Sequence, residues 1–205
     1  MVKQSSTAST SRWTTSSLLF CSALLLALCV GDKCQFTAVH DWDVIIATDS
    51  DPNGKHLTRA WSLIASFPDY PNWNSFTTSV SSASTPPTLG HPVQLTVNLG
   101  PPWPVSLFST AQSNLTLDFY WKEYLPEQHT LCWGIDNPSY PILNKILSSH
   151  RCCALRFTPA LGVEVRHSDL NVGYLAPLVQ LMYKRTIEQG FSQMTVDMRK
   201  ELART

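Results

Sequence analysis

Apolar and polar residues alternate with period two through the middle of the chain. In His91 to Leu99, Val93, Leu95, Val97 and Leu99 interleave with Gln94, Thr96 and Asn98. In Asn114 to Tyr124, Leu115, Leu117, Phe119 and Trp121 interleave with Thr116, Asp118, Tyr120 and Lys122. Each run predicts a strand with one apolar face. After a turn at Pro126-Glu127-Gln128, His129 to Ile135 repeats the pattern with Leu131, Trp133 and Ile135. Residues 37–48 and Thr77 to Ser84 read as strands from their β-branched, aromatic or Ser/Thr-rich composition. His150 to Thr158 and Val163 to Ser168 read as a hairpin around Pro159-Ala160-Leu161-Gly162. Asp136 to Ser149 reads as a loop with a short apolar patch.

Elsewhere the period lengthens. His56 to Phe67 carries Leu57, Ala60, Trp61, Ile64 and Ala65 at helical spacing, and Pro68 stops the helix. Asp69 to Asn74 fits one further helical turn. Tyr174 to Ala203 is the longest helix, with Leu175, Leu178, Val179, Met182, Ile187, Phe191, Met194, Met198 and Leu202 three to four residues apart. Pro177 is tolerable only in a first turn, so this helix should begin near Leu175. Hairpin-linked strands imply an antiparallel sheet. Only the last helix is long enough to cover one of its faces.

The N-terminus follows another logic. Residues 1–17 are rich in Ser and Thr, and Leu18 to Val30 is apolar except for Ser22. Thirteen residues of helix span roughly 20 Å, short of a ~30 Å hydrocarbon slab. This suits a signal-peptide core, with Ala27 and Cys29 as small residues before a cut after Cys29. An uncleaved signal-anchor that touches the membrane and a plain buried helix are the alternatives. The expected division is therefore 1–35 as targeting segment and 36–205 as one domain. The expected location is the secretory pathway, secreted or membrane-anchored. On that route Asn114-Leu115-Thr116 becomes a glycosylation acceptor at Asn114.

Charge removes one class of partner. The chain has 15 basic and 15 acidic residues, a net charge of zero. Without a basic field there is nothing to attract a phosphate backbone, so nucleic acid is not expected. Outside the apolar segment, the cysteines are Cys34, Cys132, Cys152 and Cys153. Their spacing matches no zinc motif, and no metal or cofactor is expected. On a strand, Cys152 and Cys153 point to opposite faces. Cys132 could pair with either in an oxidising compartment, or all could be buried small hydrophobes.

The order of one strand, two short helices, six strands and a long helix is the helix-grip topology, an α+β fold. Two segments sharpen the match. The stretch from Ala60 to Asn74, with Trp61, Phe67, Tyr70-Pro71, Trp73 and Asn74, resembles a family pattern of the form vWxvLtDFxxYPxWNPF. Gly173 to Leu178, followed by Gly190-Phe191-Ser192-Gln193-Met194, resembles that family's closing helix. Trp133 and Arg151 stand about where it has a strand Trp and a strand Arg. On these residues the chain resembles the SRPBCC superfamily, the START/Bet v 1-like group of polyketide cyclases/dehydrases and lipid-transport proteins. Ser75 departs from the pattern, which has Pro there, and the loop from Gly100 to Gln112 is Pro-rich. The resemblance implies a curved antiparallel sheet wrapped around the C-terminal helix and enclosing an apolar cavity. It also implies a hydrophobic small-molecule partner, either carried or cyclised.

Phe119, Trp121 and Trp133 lie on the apolar faces of neighbouring strands, where they either line a pocket or fill a core. Trp73 and Asn74 stand near the cavity in the family's arrangement; otherwise Trp73 pins a helix and Asn74 caps a turn. Leu178 and Met182 supply the helix side of the expected ligand site. Arg151 could orient a ligand's oxygen, or pair with Glu164 or Asp118 across the sheet. His167 could act as an acid or base, or be a hydrogen-bonded core residue. Arg151 and His167 are the catalytic candidates if the protein is an enzyme. No nucleophile elbow, phosphate loop or HExxH motif is present.

Overall fold

The computed structural model describes residues 35–48, 50–82, 86–99, 113–136 and 141–204. The apolar N-terminal segment, Cys34, the Gly100-to-Gln112 loop and the side chain of Asn114 lie outside the described residues.

Seven strands form one antiparallel sheet. They are β1 (Gln35–Ile46), β2 (Thr77–Ser82), β3 (Pro92–Leu99), β4 (Ser113–Leu125), β5 (Thr130–Gly134), β6 (Ser148–Thr158) and β7 (Gly162–Val172). Their spatial order is β1-β7-β6-β5-β4-β3-β2. From β2 to β7 each strand pairs with its sequence neighbour, as hairpins dictate. β1 closes the other edge against β7. Two helices, α1 (Lys55–Ala65) and α2 (Tyr70–Trp73), lie between β1 and β2, and α3 (Pro141–Ile146) precedes β6. The 29-residue α4 (Ala176–Arg204) follows β7, and Pro177 sits in its first turn as expected. Among the described residues no helix is long and apolar enough to cross a membrane.

This is the expected α+β helix-grip fold. The curled sheet holds α4 in its concave face, with α1 and α2 closing one end.

Two strands are longer than the pattern suggested. β6 begins at Ser148 and β7 runs to Val172, so Ser149, Asp169 and Asn171 are strand residues. All three are buried on the face that carries Val163, Val165 and His167, with Ser149 paired to Asn171. The patch read as loop contains α3, whose last carbonyls at Lys145 and Ile146 accept bonds from Tyr174 and Leu175 at the start of α4.

Local chemistry explains the motif between Phe67 and Asn74. Tyr70 is fully buried, donates its hydroxyl to the Ile64 carbonyl at 2.8 Å and stacks on Phe67. Asn74 Oδ1 accepts from the backbone N–H groups of Phe76 (2.9 Å) and Thr77 (3.1 Å), turning the chain into β2. Ser75 donates its backbone N–H and its hydroxyl to Asp197 on α4. A proline could not donate that N–H, so the departure from the family pattern fastens this turn to the helix. Burial pulls the Asp197 carboxyl up, but bonds from Ser75 and Gln193 and the charge of Lys200 outweigh it and lower its pKa.

Candidate functional site

The interior divides into a filled half and a hollow half. The filled half lies under α1 and α2. Phe67 sits with its ring edge-on to Trp121 (4.4 Å between centroids) and Trp133 (5.1 Å), and Tyr70 meets Trp73 at 4.9 Å. Leu131, Cys153, Leu155, Val163 and Val165 of the sheet close on Met194, Met198 and Leu202 of α4.

At the other end the side chains do not meet. A cavity of about 230 Å³ is walled by Leu115, Leu117 and Phe119 of β4, and by Val179, Tyr183 and Ile187 of α4, with further apolar lining from Phe76, Val97, Ile135 and Leu147. Leu115 is also exposed to solvent, which marks the side on which the cavity reaches the surface. Apolar residues are exposed on α3 (Ile142, Leu143), just before α4 (Leu175) and in the first turns of α4 (Leu178, Leu181).

Gly190 makes the cavity floor possible. A Cβ there would lie 2.5 Å from the ring of Phe76, far inside van der Waals contact. Glycine therefore lets Phe76 press onto α4, and Phe76 then lines the cavity. This is the physical content of the Gly190-Phe191 motif.

Among the described residues, the polar side chains of the lining are Ser149, Arg151, Asp169, Asn171 and Tyr183. Arg151 and Asp169 are directly opposed in the β6–β7 register, and the guanidinium donates to Asp169 Oδ2 at 2.9 Å. The guanidinium also lies over the rings of Phe119 (5.9 Å) and Phe191 (5.3 Å). The Arg is thus compensated, but the group is not saturated. Arg151 Nε, Asp169 Oδ1 and Asn171 Nδ2 are buried without a partner among the described residues. Each such orphan costs about 1–3 kcal/mol unless something meets it.

The partner expected for Arg151 was Glu164 or Asp118. Glu164 instead pairs with Arg156, opposite it in the hairpin. Hydrogen bonds from Arg156, with one from Thr158, outweigh its burial and hold the Glu164 carboxyl below its usual range. Asp118 accepts from Gln94 on the outer face.

The remaining candidates separate by place. Phe119 and Arg151 line the cavity. Trp133, His167 and again Arg151 line a second void of about 10 Å³, room for one water rather than a ligand. Trp73, Asn74 and Trp121 are buried in the filled half and line neither space. Leu178 is exposed and Met182 half-buried, and neither lines the cavity; the helix wall is the adjacent Val179–Tyr183–Ile187 row. His167 is stacked on Phe191 at 5.3 Å. Burial, then the charges of His40 and Arg151, push its pKa down to about 3, so the ring is neutral at physiological pH.

Sequence reasoning missed Asp169, Asn171 and Tyr183. Counting back along the hairpin from its Thr158–Gly162 closing pair places Asp169 opposite Arg151, so that pair was within reach.

No family model matches the chain. No curated protein matches it either. Solved structures do. An aromatase/cyclase from a Streptomyces species superposes with a TM-score of 0.57 at 12% identity, over 83% of this chain and 95% of that one. A major latex-like protein of Panax ginseng gives 0.55 at 8% identity, over 82% and 97%. Norcoclaurine synthase from Thalictrum flavum, in complex with dopamine and hydroxybenzaldehyde, gives 0.55 at 9% identity, over 84% and 89%. At such identities the shared property is the helix-grip fold.

Proposed function

We propose that this protein, sharing its helix-grip fold with an aromatase/cyclase and a norcoclaurine synthase, binds a small hydrophobic molecule bearing a hydroxyl group. The single observation that carries the reading is the apolar cavity of about 230 Å³ at the end where α4 and the sheet fail to interdigitate. Its size falls below the roughly 300–1,000 Å³ of pockets for drug-sized ligands, which favours a one- or two-ring molecule over a long lipid. The unpartnered Asp169 Oδ1 and Asn171 Nδ2 belong to lining side chains. A ligand hydroxyl brought to these atoms by a small side-chain shift would donate to the first and accept from the second.

A second reading, cyclisation of a polyketide-like substrate, is favoured by the Arg151–Asp169 pair in the same lining. In it the pocket supplies the shape and Arg151 the orientation of an enolate or carbonyl oxygen. His167 contributes little to either reading, because its neutral ring faces a space too small for substrate. We also propose a secretory location; the Cys132–Cys152 disulfide fits an oxidising compartment.

Native mass spectrometry of the protein purified from its own host tests the reading. It should carry a small apolar molecule that a denaturing spectrum loses. Arg151→Ala separates the two readings: a carrier keeps its load, whereas a cyclase folds but stops turning over.

A further inference from the structure

We propose that the outer face of the sheet carries a redox-gated metal site, closed as a disulfide and open as a thiolate site for a zinc-class divalent cation. It lies apart from the cavity, and neither reading of the cavity bears on it.

The site is assembled across three strands. Glu123 of β4 is paired with Cys132 of β5, and Cys132 with Cys152 of β6. His150 stands two residues before Cys152 and so faces the same side. The Cys132 Sγ, Cys152 Sγ and a ring nitrogen of His150 all lie within 4.8 Å of one another. The Glu123 carboxylate closes the group, 3.7 Å from Cys132 Sγ through one oxygen and 3.7 Å from His150 Nε2 through the other. Three donors, two sulfurs and one nitrogen, thus stand together, and the Glu123 carboxylate beside them can supply a fourth by a side-chain rotation.

With Cys132 and Cys152 joined, the sulfurs have no negative charge to offer. A dithiol reductant opens the site. It transfers two electrons, leaves as its own disulfide, and gives two protein thiols. A cation entering between them displaces both thiol protons and forms two metal–sulfur bonds. With bonds of about 2.3 Å to sulfur and about 2.0 Å to nitrogen, tetrahedral ligands stand roughly 3.3–3.8 Å apart. The 3.7 Å separation of His150 Nε2 from Cys152 Sγ already fits; the two sulfurs must part, and Glu123 must turn one oxygen toward them. Sulfur and imidazole donors select zinc-like ions over magnesium or calcium. Cys132 is buried and Cys152 half-buried, but His150 and Glu123 have side chains 39% and 44% exposed, so reductant and metal approach from the Cys152 side. The sequence hides this site because its donors come from Glu123, Cys132 and the His150/Cys152 pair, far apart along the chain and adjacent only through strand pairing.

Cobalt(II) is the probe. The full chain is reduced, the reductant removed without air, and Co²⁺ titrated in. The reduced protein should take one ion, with the thiolate-to-cobalt charge-transfer band and the intense visible bands of a tetrahedral centre. Zn²⁺ should discharge them, and the oxidised protein should show neither. His150→Ala should weaken binding at least about tenfold, and a double Cys132→Ser, Cys152→Ser variant should abolish the bands. The proposal fails if the reduced chain takes no cobalt, if the double serine variant keeps the bands, or if His150→Ala binds as tightly as the parent. It also fails if reduction alone erases the near-ultraviolet circular dichroism, since the site needs its strands aligned.

Discussion

The two halves of the interior are built from the same materials and do different things. Phe119 and Trp121 are two residues apart on one face of β4 and equally buried. Trp121 meets Phe67 and disappears into the packed cluster below α1 and α2. Phe119 has no such partner across from it, and its ring borders open space. What fills one half is the pair of short helices; in the other, α4 presents Val179, Tyr183 and Ile187, and no described residue is inserted between them and the sheet. Stability is expected from the first half and ligand recognition from the second, with Arg151 at the border, lining both the cavity and the small void.

The largest test of this division is Trp121→Ala. It removes a fully buried indole from the filled half and should cost about 3–5 kcal/mol in denaturant unfolding, while affinity for a bound apolar probe changes little. A comparable loss of affinity would mean the halves are not separate. Next is Gly190→Ala. The added methyl must displace the Phe76 ring, so overpacking should cost about 1–3 kcal/mol, and binding should weaken as well because the cavity floor moves.

Acid should act through the border. His167 titrates near 6.5 when unfolded and at about 3 when folded. The unfolded chain therefore binds more protons between those values. Stability is complete above pH 6.5 and falls as pH drops toward 3, with a slope of up to about 1 kcal/mol per pH unit. His167→Gln should flatten that part of the pH profile; an unchanged slope would show that His167 is not the group responsible. The smallest expected effect is Asn74→Ala. Losing two backbone partners at the turn into β2 should cost about 1–2 kcal/mol with no change in probe affinity, whereas a selective loss of affinity would move Asn74 into the ligand site.

The division itself was not readable from the chain, although the elements were. Period-two alternation in β3, β4 and β5, the hairpin of β6 and β7, and the apolar stripe with Pro177 in α4 each leave a local signature. The reading failed where function interrupts the pattern. The pattern predicts an end to β7 at Ser168, whereas Asp169 and Asn171 continue the strand with polar residues on its otherwise apolar face. The same two residues line the cavity and carry buried atoms without a partner among the described residues. Likewise the pattern places Ser149 in a loop, yet it lines the cavity at the start of β6. On α4, apolar residues lie on two faces at once: Leu178 and Leu181 outward, Val179, Tyr183 and Ile187 inward. Spacing alone cannot choose between two stripes offset by one position. Local rules break at sites where the sequence serves something besides packing.

The central claim is that the hollow half is a binding site. Calorimetric titration of a naphthol, a two-ring phenol, into the parent protein and into Val179→Phe addresses it directly. The parent should bind one molecule per chain. Val179→Phe, which fills the cavity wall, should bind at least about tenfold more weakly, a loss of about 1.4 kcal/mol, at nearly unchanged thermal stability. No binding by the parent, or equal affinity in both proteins, would contradict the account.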